Sequence, residues 1–198
     1  MIASIIASLA LVGGTQNYDT RNFDVRELSD AEGCAISGHW SFEGRSDVYL
    51  QIDVETNGEV GASVSSYGWT RPKPDDIKVL TYLFISSDEQ VNAMSYYASG
   101  SKGLRPGMVA YIPDDEREEF LNAFSSSNVM EVYITTPPEE GASVDDMDMK
   151  LVLEGRLTGT SAATASVRRC VANVKAREDA RREREARVEH ITKDPFGD

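Results

Sequence analysis

The stretch from Met149 to Val174 (MKLVLEGRLTGTSAATASVRRCVANV) changes hydrophobic period in its middle, and the rest of the chain is organised around it. Met149, Leu151, Leu153 and Leu157 fall at every second residue, the pattern of a strand with one buried face. After Gly159 the apolar positions become Ala163, Val167, Cys170, Val171 and Val174, which is helical spacing. Gly159, Thr160 and Ser161 supply a turn and then a hydroxyl to cap the helix. A closing strand therefore runs straight into a helix whose packed face carries Cys170, and Cys34 is the one other cysteine in the chain.

Upstream the chain is written mostly in strands. Cys34 to Phe42 reads as a strand, with a shorter one around Asn22 to Leu28. Val48, Leu50, Ile52 and Val54 alternate with Tyr49, Gln51 and Asp53, which predicts a half-buried strand. The turn at Asn57-Gly58 has a length that the pattern selects. A two-residue loop would set Val54 opposite Gly61. A three-residue loop, with Gly58 left-handed, sets Val54 opposite Val60 and Ile52 opposite Ala62, at the cost of facing Glu55 with Glu59. Ile77 to Ile85 predicts a central strand and Val91 to Ala98 its antiparallel neighbour, with further strands over Met108 to Ile112 and Val129 to Thr135. Between the last two, Asp114 is placed to cap a short helix that docks Phe120, Leu121 and Phe124 on the sheet.

The expected fold class is thus mainly β: an antiparallel, sandwich-like arrangement with one short docked helix and a long C-terminal helix, α+β being the alternative. Three regions follow: 1–14 as a signal peptide, 15–174 as one β-rich domain, and 175–198 as a charged helical extension. From Lys175 to His190 only Ala176, Ala180, Ala186 and Val188 are apolar, too few for a coiled coil, and Glu178–Arg182 and Glu183–Arg187 stand at ion-pair spacing.

The run from Ile2 to Val12 is too short to span a bilayer and has the length of a signal-peptide apolar region, with small residues before Thr15 as a cleavage site. Its lack of a basic residue before Arg21 leaves a buried first strand or an uncleaved anchor as alternatives. In an exported chain the two cysteines make a disulfide, Cys34–Cys170; in a cytosolic one they are small buried hydrophobes. Charge narrows the partners. The chain carries a formal −13, with 26 acidic against 11 basic residues up to Val167. Such a body repels nucleic acid and anionic membrane surfaces.

Little in the sequence carries chemistry. His39 and His190 are the only histidines, and a strand would put Cys34 and His39 on opposite faces, which disfavours a nucleophile pair. The 155–161 turn (GRLTGTS) lacks the spacing and the lysine of a phosphate loop. Asp145, Asp146 and Asp148 do not match a calcium loop, and Met149 is taken by the strand, so no metal or cofactor is indicated. The departures from this background are two basic loops in an acidic protein. Trp69 stands beside Arg71, and Lys102 and Arg105 lie among Gly100, Gly103, Pro106 and Gly107. At one end of the sheet they would form an edge for a small anion or a protein partner.

The segment Leu153 to Ala163 (LEGRLTGTSAA) resembles the end of invasion-associated locus B-type periplasmic proteins of α-proteobacteria, a strand, a turn and a helix after an export signal and a β-rich body. Leu157, Gly159, Ala162 and Ala163 carry the similarity, while Thr160 stands where those proteins have an aromatic residue and the charged tail falls outside the pattern. The resemblance implies an exported β-sandwich-like domain and transfers no active-site residue. The function expected is a non-enzymatic exported binding or structural protein. The alternatives are a small carboxylate-dependent hydrolase, and a cytosolic protein that recruits a partner through its charged helix.

Overall fold

The computed structural model describes residues 23–28, 32–69, 78–85, 89–98, 106–135 and 149–192. Nine strands are hydrogen-bonded edge to edge, all antiparallel: β1 (Asp24–Glu27), β2 (Gly33–Trp40), β3 (Val48–Glu55), β4 (Val60–Ser66), β5 (Lys78–Phe84), β6 (Glu89–Ala98), β7 (Gly107–Tyr111), β8 (Val129–Thr135) and β9 (Met149–Arg156). Their spatial order is β1-β2-β3-β4-β7-β6-β5-β8-β9. Two helices join them, α1 (Arg117–Ser126) and α2 (Thr160–Thr192). The fold is mainly antiparallel β with a short and a long C-terminal helix, as the pattern predicts.

β6 turns this ribbon into a sandwich. Its first part, up to Ser95, pairs with β5, and from Ser95 onward it pairs with β7. One strand therefore belongs to both halves, the device by which packed sheets share a corner. Opposite that corner the halves meet again through Trp40. Its Nε1 donates to the carbonyl of Arg156 at 3.4 Å, and its ring lies so close over Gly155 that an added Cβ would sit 2.6 Å from Cε2. Between the two seams the buried Tyr82 hydroxyl of β5 donates to the Ala62 carbonyl of β4 at 3.2 Å.

The inner face of β1–β4 and β7 is a lattice of apolar rows set by register. Cys34, Val54 and Val60 form one row, and Ile36, Ile52, Ala62 and Ala110 the next. Leu50, Val64 and Met108 continue the third beside Gly38. The β3–β4 turn is the three-residue loop expected: Val54 faces Val60, Ile52 faces Ala62, and Gly58 has φ +92°. The opposed Glu55 and Glu59 are tied instead of merely repelling. Glu55 N–H donates to the Glu59 carbonyl, and Asn57 bridges both, accepting from Glu59 N–H and donating to the Glu55 carboxylate.

The helices cover what the second half-sheet leaves open. α1 buries Phe120 edge-on against Tyr82 and Phe84, and Phe124 edge-on against Phe23. It begins at Arg117, three residues after the expected cap. Asp114 is drawn instead into an ion pair with Arg117 at 2.6 Å, and a turn closed by Glu116 N–H on the Pro113 carbonyl precedes the helix.

α2 packs on β1, β2, β3 and α1, burying Ala163, Thr164, Val167 and Val174. Cys170 is bonded to Cys34 of β2, 136 residues away, with Cα atoms 6.1 Å apart. Arg168 ties α2 to α1 through Glu118 and Asn122. The turn before α2 has Gly159 at φ +92°, but the Thr160 hydroxyl does not cap forward. It donates backward to the Leu157 carbonyl at 2.9 Å, so it fastens the helix to the strand it leaves.

The expectation for β9 needs correcting. Leu153, Gly155 and Leu157 are buried, whereas Met149 and Leu151 are 37% and 43% exposed. The ladder with β8 slips by one residue between Val132 and Tyr133, so that Leu153 faces the buried Val132 while Leu151 faces the half-exposed Tyr133. A one-residue slip exchanges faces, and the alternation upstream of it points outward.

α2 spans about 50 Å at an ordinary helical rise, and Val174 is its last buried residue among those whose side chains are described. Just beyond, Arg177 pairs with Glu27 of β1 at 2.6 Å. Farther out the helical ion pair formed is Arg181 with Glu185 rather than the two pairs expected from spacing.

Two predictions follow from the seams. The Cys34–Cys170 bond closes a loop long enough to stabilise the fold by about 4 kcal/mol. Reduction, or Cys170→Ser, is expected to lower the melting temperature by about 10 °C or more, read by calorimetry. Gly155→Ala is expected to cost about 1–3 kcal/mol, because its methyl group has nowhere to go except into Trp40; urea unfolding followed by tryptophan fluorescence measures it.

Candidate functional site

The alternation that builds the apolar rows delivers a second lattice on the opposite face of the same strands. Ser37, Gln51, Ser63 and Val109 form one outward row. His39, Tyr49, Ser65 and Gly107 form a parallel row, and Asp53, Gly61 and Tyr111 lie in a third. The His39 and Tyr49 rings stack at 5.7 Å, and Tyr67 meets Tyr49 edge-on at 6.3 Å. At the far corner Tyr111 lies beside Gly61, where no side chain competes for the space, and is 56% exposed.

The polar groups between these aromatics are connected. Arg26 of β1 donates to the Gln51 side-chain oxygen at 3.2 Å, and Gln51 Nε2 donates in turn to Asp53 Oδ1 at 2.8 Å. The Ser63 hydroxyl reaches the Gln51 carbonyl at 3.5 Å. Such a chain holds each side chain in one rotamer, and the buried rows beneath fix the backbone under it. Most of its side chains are half-exposed or exposed, and they include both hydrogen-bond donors and acceptors.

Two concavities flank the helices. A hollow of about 650 Å³ opens between β1 and α2, beside Phe23, Glu27, Ser166 and Cys170. A cleft of about 570 Å³ lies where α1 ends and α2 begins, lined by Ser126, Ser127, Asn128, Thr158 and Ser161 among others. Neither brings together a nucleophile with a base. Glu131 and Glu154 face each other across β8 and β9, and the Tyr133 hydroxyl donates to Glu131 at 2.6 Å. Partial burial and that hydrogen bond push the Tyr133 hydroxyl far above the usual phenol range, so it stays protonated. Glu116, partly buried between Asp115 and Glu119, is pushed above the ordinary carboxylate range, mainly by burial.

Of the residues singled out by sequence, Cys34 and Cys170 are brought together as a disulfide. Trp69 is half-buried against the core, and its backbone N–H donates to the Ser66 carbonyl. Arg71, Lys102 and Arg105 lie outside the described residues, as do the acidic run at 145–148 and the N-terminal apolar run. Cys34 and His39 do fall on opposite faces of β2, the first at the core and the second exposed. Among the described residues no group of three His, Cys, Asp or Glu converges in a way that could hold a metal ion. None of the described helices is long and apolar enough to cross a membrane. The outward lattice is what sequence reading missed. Its signal was present in the register: once Gly58 fixes the β3–β4 pairing and β2 aligns with β3, His39 must stand beside Tyr49.

No family model, curated protein or solved structure matches the chain.

The pair between Glu27 and Arg177 marks where the packed part of α2 ends. The hydrogen bond from Arg177 holds the Glu27 carboxyl below the ordinary carboxylate range. A lowered folded-state value means that the contact stabilises above the ordinary range and is lost as the pH falls through Glu27's own value. Both groups are exposed, so the effect is local. Glu27→Gln is expected to speed amide exchange around Arg177 severalfold at pH 7. Once the pH has fallen through Glu27's own lowered value, the difference between variant and parent should vanish.

Proposed function

We propose that this chain is an exported, disulfide-braced binding or structural protein of the periplasm or envelope. The observation that carries the reading is the Cys34–Cys170 bond. Disulfides persist in oxidising compartments and are rare where glutathione and thioredoxin keep thiols reduced. The apolar N-terminal run with small residues before Thr15 and the resemblance of the Leu153–Ala163 segment to exported locus B-type proteins support the same compartment.

Binding rather than catalysis is favoured by how the polar groups are distributed. The most connected constellation, Arg26–Gln51–Asp53 with the tyrosines around it, lies on an open sheet face and not in a cleft that would exclude water. A polar-aromatic surface held by a hydrogen-bonded sheet suits recognition of an extended partner.

Mass spectrometry of the mature protein tests the reading. A chain that begins at Thr15 and contains no free thiol under denaturing conditions is the expected result. A chain that retains Met1 and titrates with two thiols overturns it.

A further inference from the structure

We propose that the outward face of β2, β3, β4 and β7 is a binding platform for a neutral glycan chain, laid between the His39–Tyr49–Tyr67 stack and Tyr111. This deepens the binding reading above and rests on it.

The first argument is aromatic placement. Sugar rings present flat faces of C–H groups that stack on aromatic rings, and exposed tyrosines supply such rings together with a hydroxyl. Tyr67 is 64% exposed and Tyr111 is 56% exposed, whereas Trp40, Tyr82, Phe84, Phe120 and Phe124 are fully buried. Tyr49 and Tyr111 stand on β3 and β7, separated by β4 alone. Tyr49 pairs with Ser65 and Tyr111 with Gly61, four residues apart along β4. Strand geometry converts this to about 10 Å sideways and about 13 Å along the strands. That span suits several linked sugar rings rather than a single one.

The second argument is the chemistry between the rings. A sugar hydroxyl both donates and accepts, and so does this surface. Gln51 contributes an amide, Asp53 a carboxylate, Arg26 a guanidinium, and Ser37, Ser63 and Ser65 contribute hydroxyls. The Gln51–Asp53 hydrogen bond orients the amide before any ligand arrives, which reduces the entropy lost on binding. Gly61 carries no side chain, which leaves room beside the Tyr111 ring.

The third argument is charge. The Asp53 carboxylate stands on this face and the chain as a whole carries −13, so uronate or sulfated chains are repelled. A protein partner fits poorly for a different reason. The centre of a protein interface is depleted in charge and built on apolar anchors, whereas here the centre is Ser63, Gln51 and Asp53, flanked by Val109 and the buried Ala35.

The test is a glycan microarray probed with the oxidised mature protein and with the variants Tyr67→Ala, Tyr111→Ala and Gln51→Ala. Both tyrosines are more than half exposed, so the variants should melt with the parent, and calorimetry checks that they do. The expected result is binding to one or more neutral glycans, weakened about tenfold or more by each tyrosine replacement. Parent protein that ignores every neutral glycan, binds only anionic ones, or binds equally well without the tyrosines overturns the proposal. Processed, disulfide-bonded protein that fails on the array leaves the exported-protein reading intact. Unprocessed protein with free thiols overturns that reading whatever the array shows.

Discussion

The contact between α2 and β2, locked by Cys34–Cys170, is the constraint on which the rest of the molecule depends. Cys34 heads the apolar row nearest the β3–β4 turn, so whatever binds it also seals that end of the core. A helix with only Ala163, Val167, Val171 and Val174 around its cysteine buries little hydrocarbon for its length. The covalent bond supplies what that modest face lacks, because a link over 136 residues removes much of the freedom of the unfolded chain. The backward hydrogen bond from Thr160 and the Arg168 contacts to α1 set the angle at which the helix arrives. Past Val174 these constraints end, and α2 continues as an exposed, charge-covered rod.

The same strands then serve two purposes at no structural conflict. Even-numbered positions of β2 and β3 point to the core and odd-numbered positions to the outside, so Ile36 and Ile52 hold the sheet while Ser37 and Gln51 face outward. Rigidity of the outer lattice is inherited from the inner one. Trp40 contributes at a distance, since its hydrogen bond to Arg156 and its contact with Gly155 keep the second half-sheet closed over those rows.

Much of this architecture was legible before any coordinates, because it follows from local rules. Alternation in Val48–Val54 and the glycine at position 58 were enough to set the β3–β4 register. Helical spacing after Gly159 was enough to place Cys170 on the packed face. What escaped was decided by contacts between distant residues. The slip at Val132/Tyr133 turns Met149 and Leu151 outward, although their spacing continues that of Leu153 without a break. Arg117 captures Asp114 and delays the start of α1. The Thr160 hydroxyl has two possible partners, and the position of Leu157 beneath it settles the choice. The polar-aromatic face escaped because its members, His39, Tyr49, Tyr67 and Tyr111, are scattered along the chain and meet only through cross-strand register.

Native-state hydrogen exchange of the oxidised and reduced protein tests the central claim most directly. If the disulfide is what holds α2 to the sheet, reduction will lower protection of the Val167–Val174 amides by about a thousandfold, the factor that 4 kcal/mol represents. Protection of those amides that is the same with and without the bond would contradict the account.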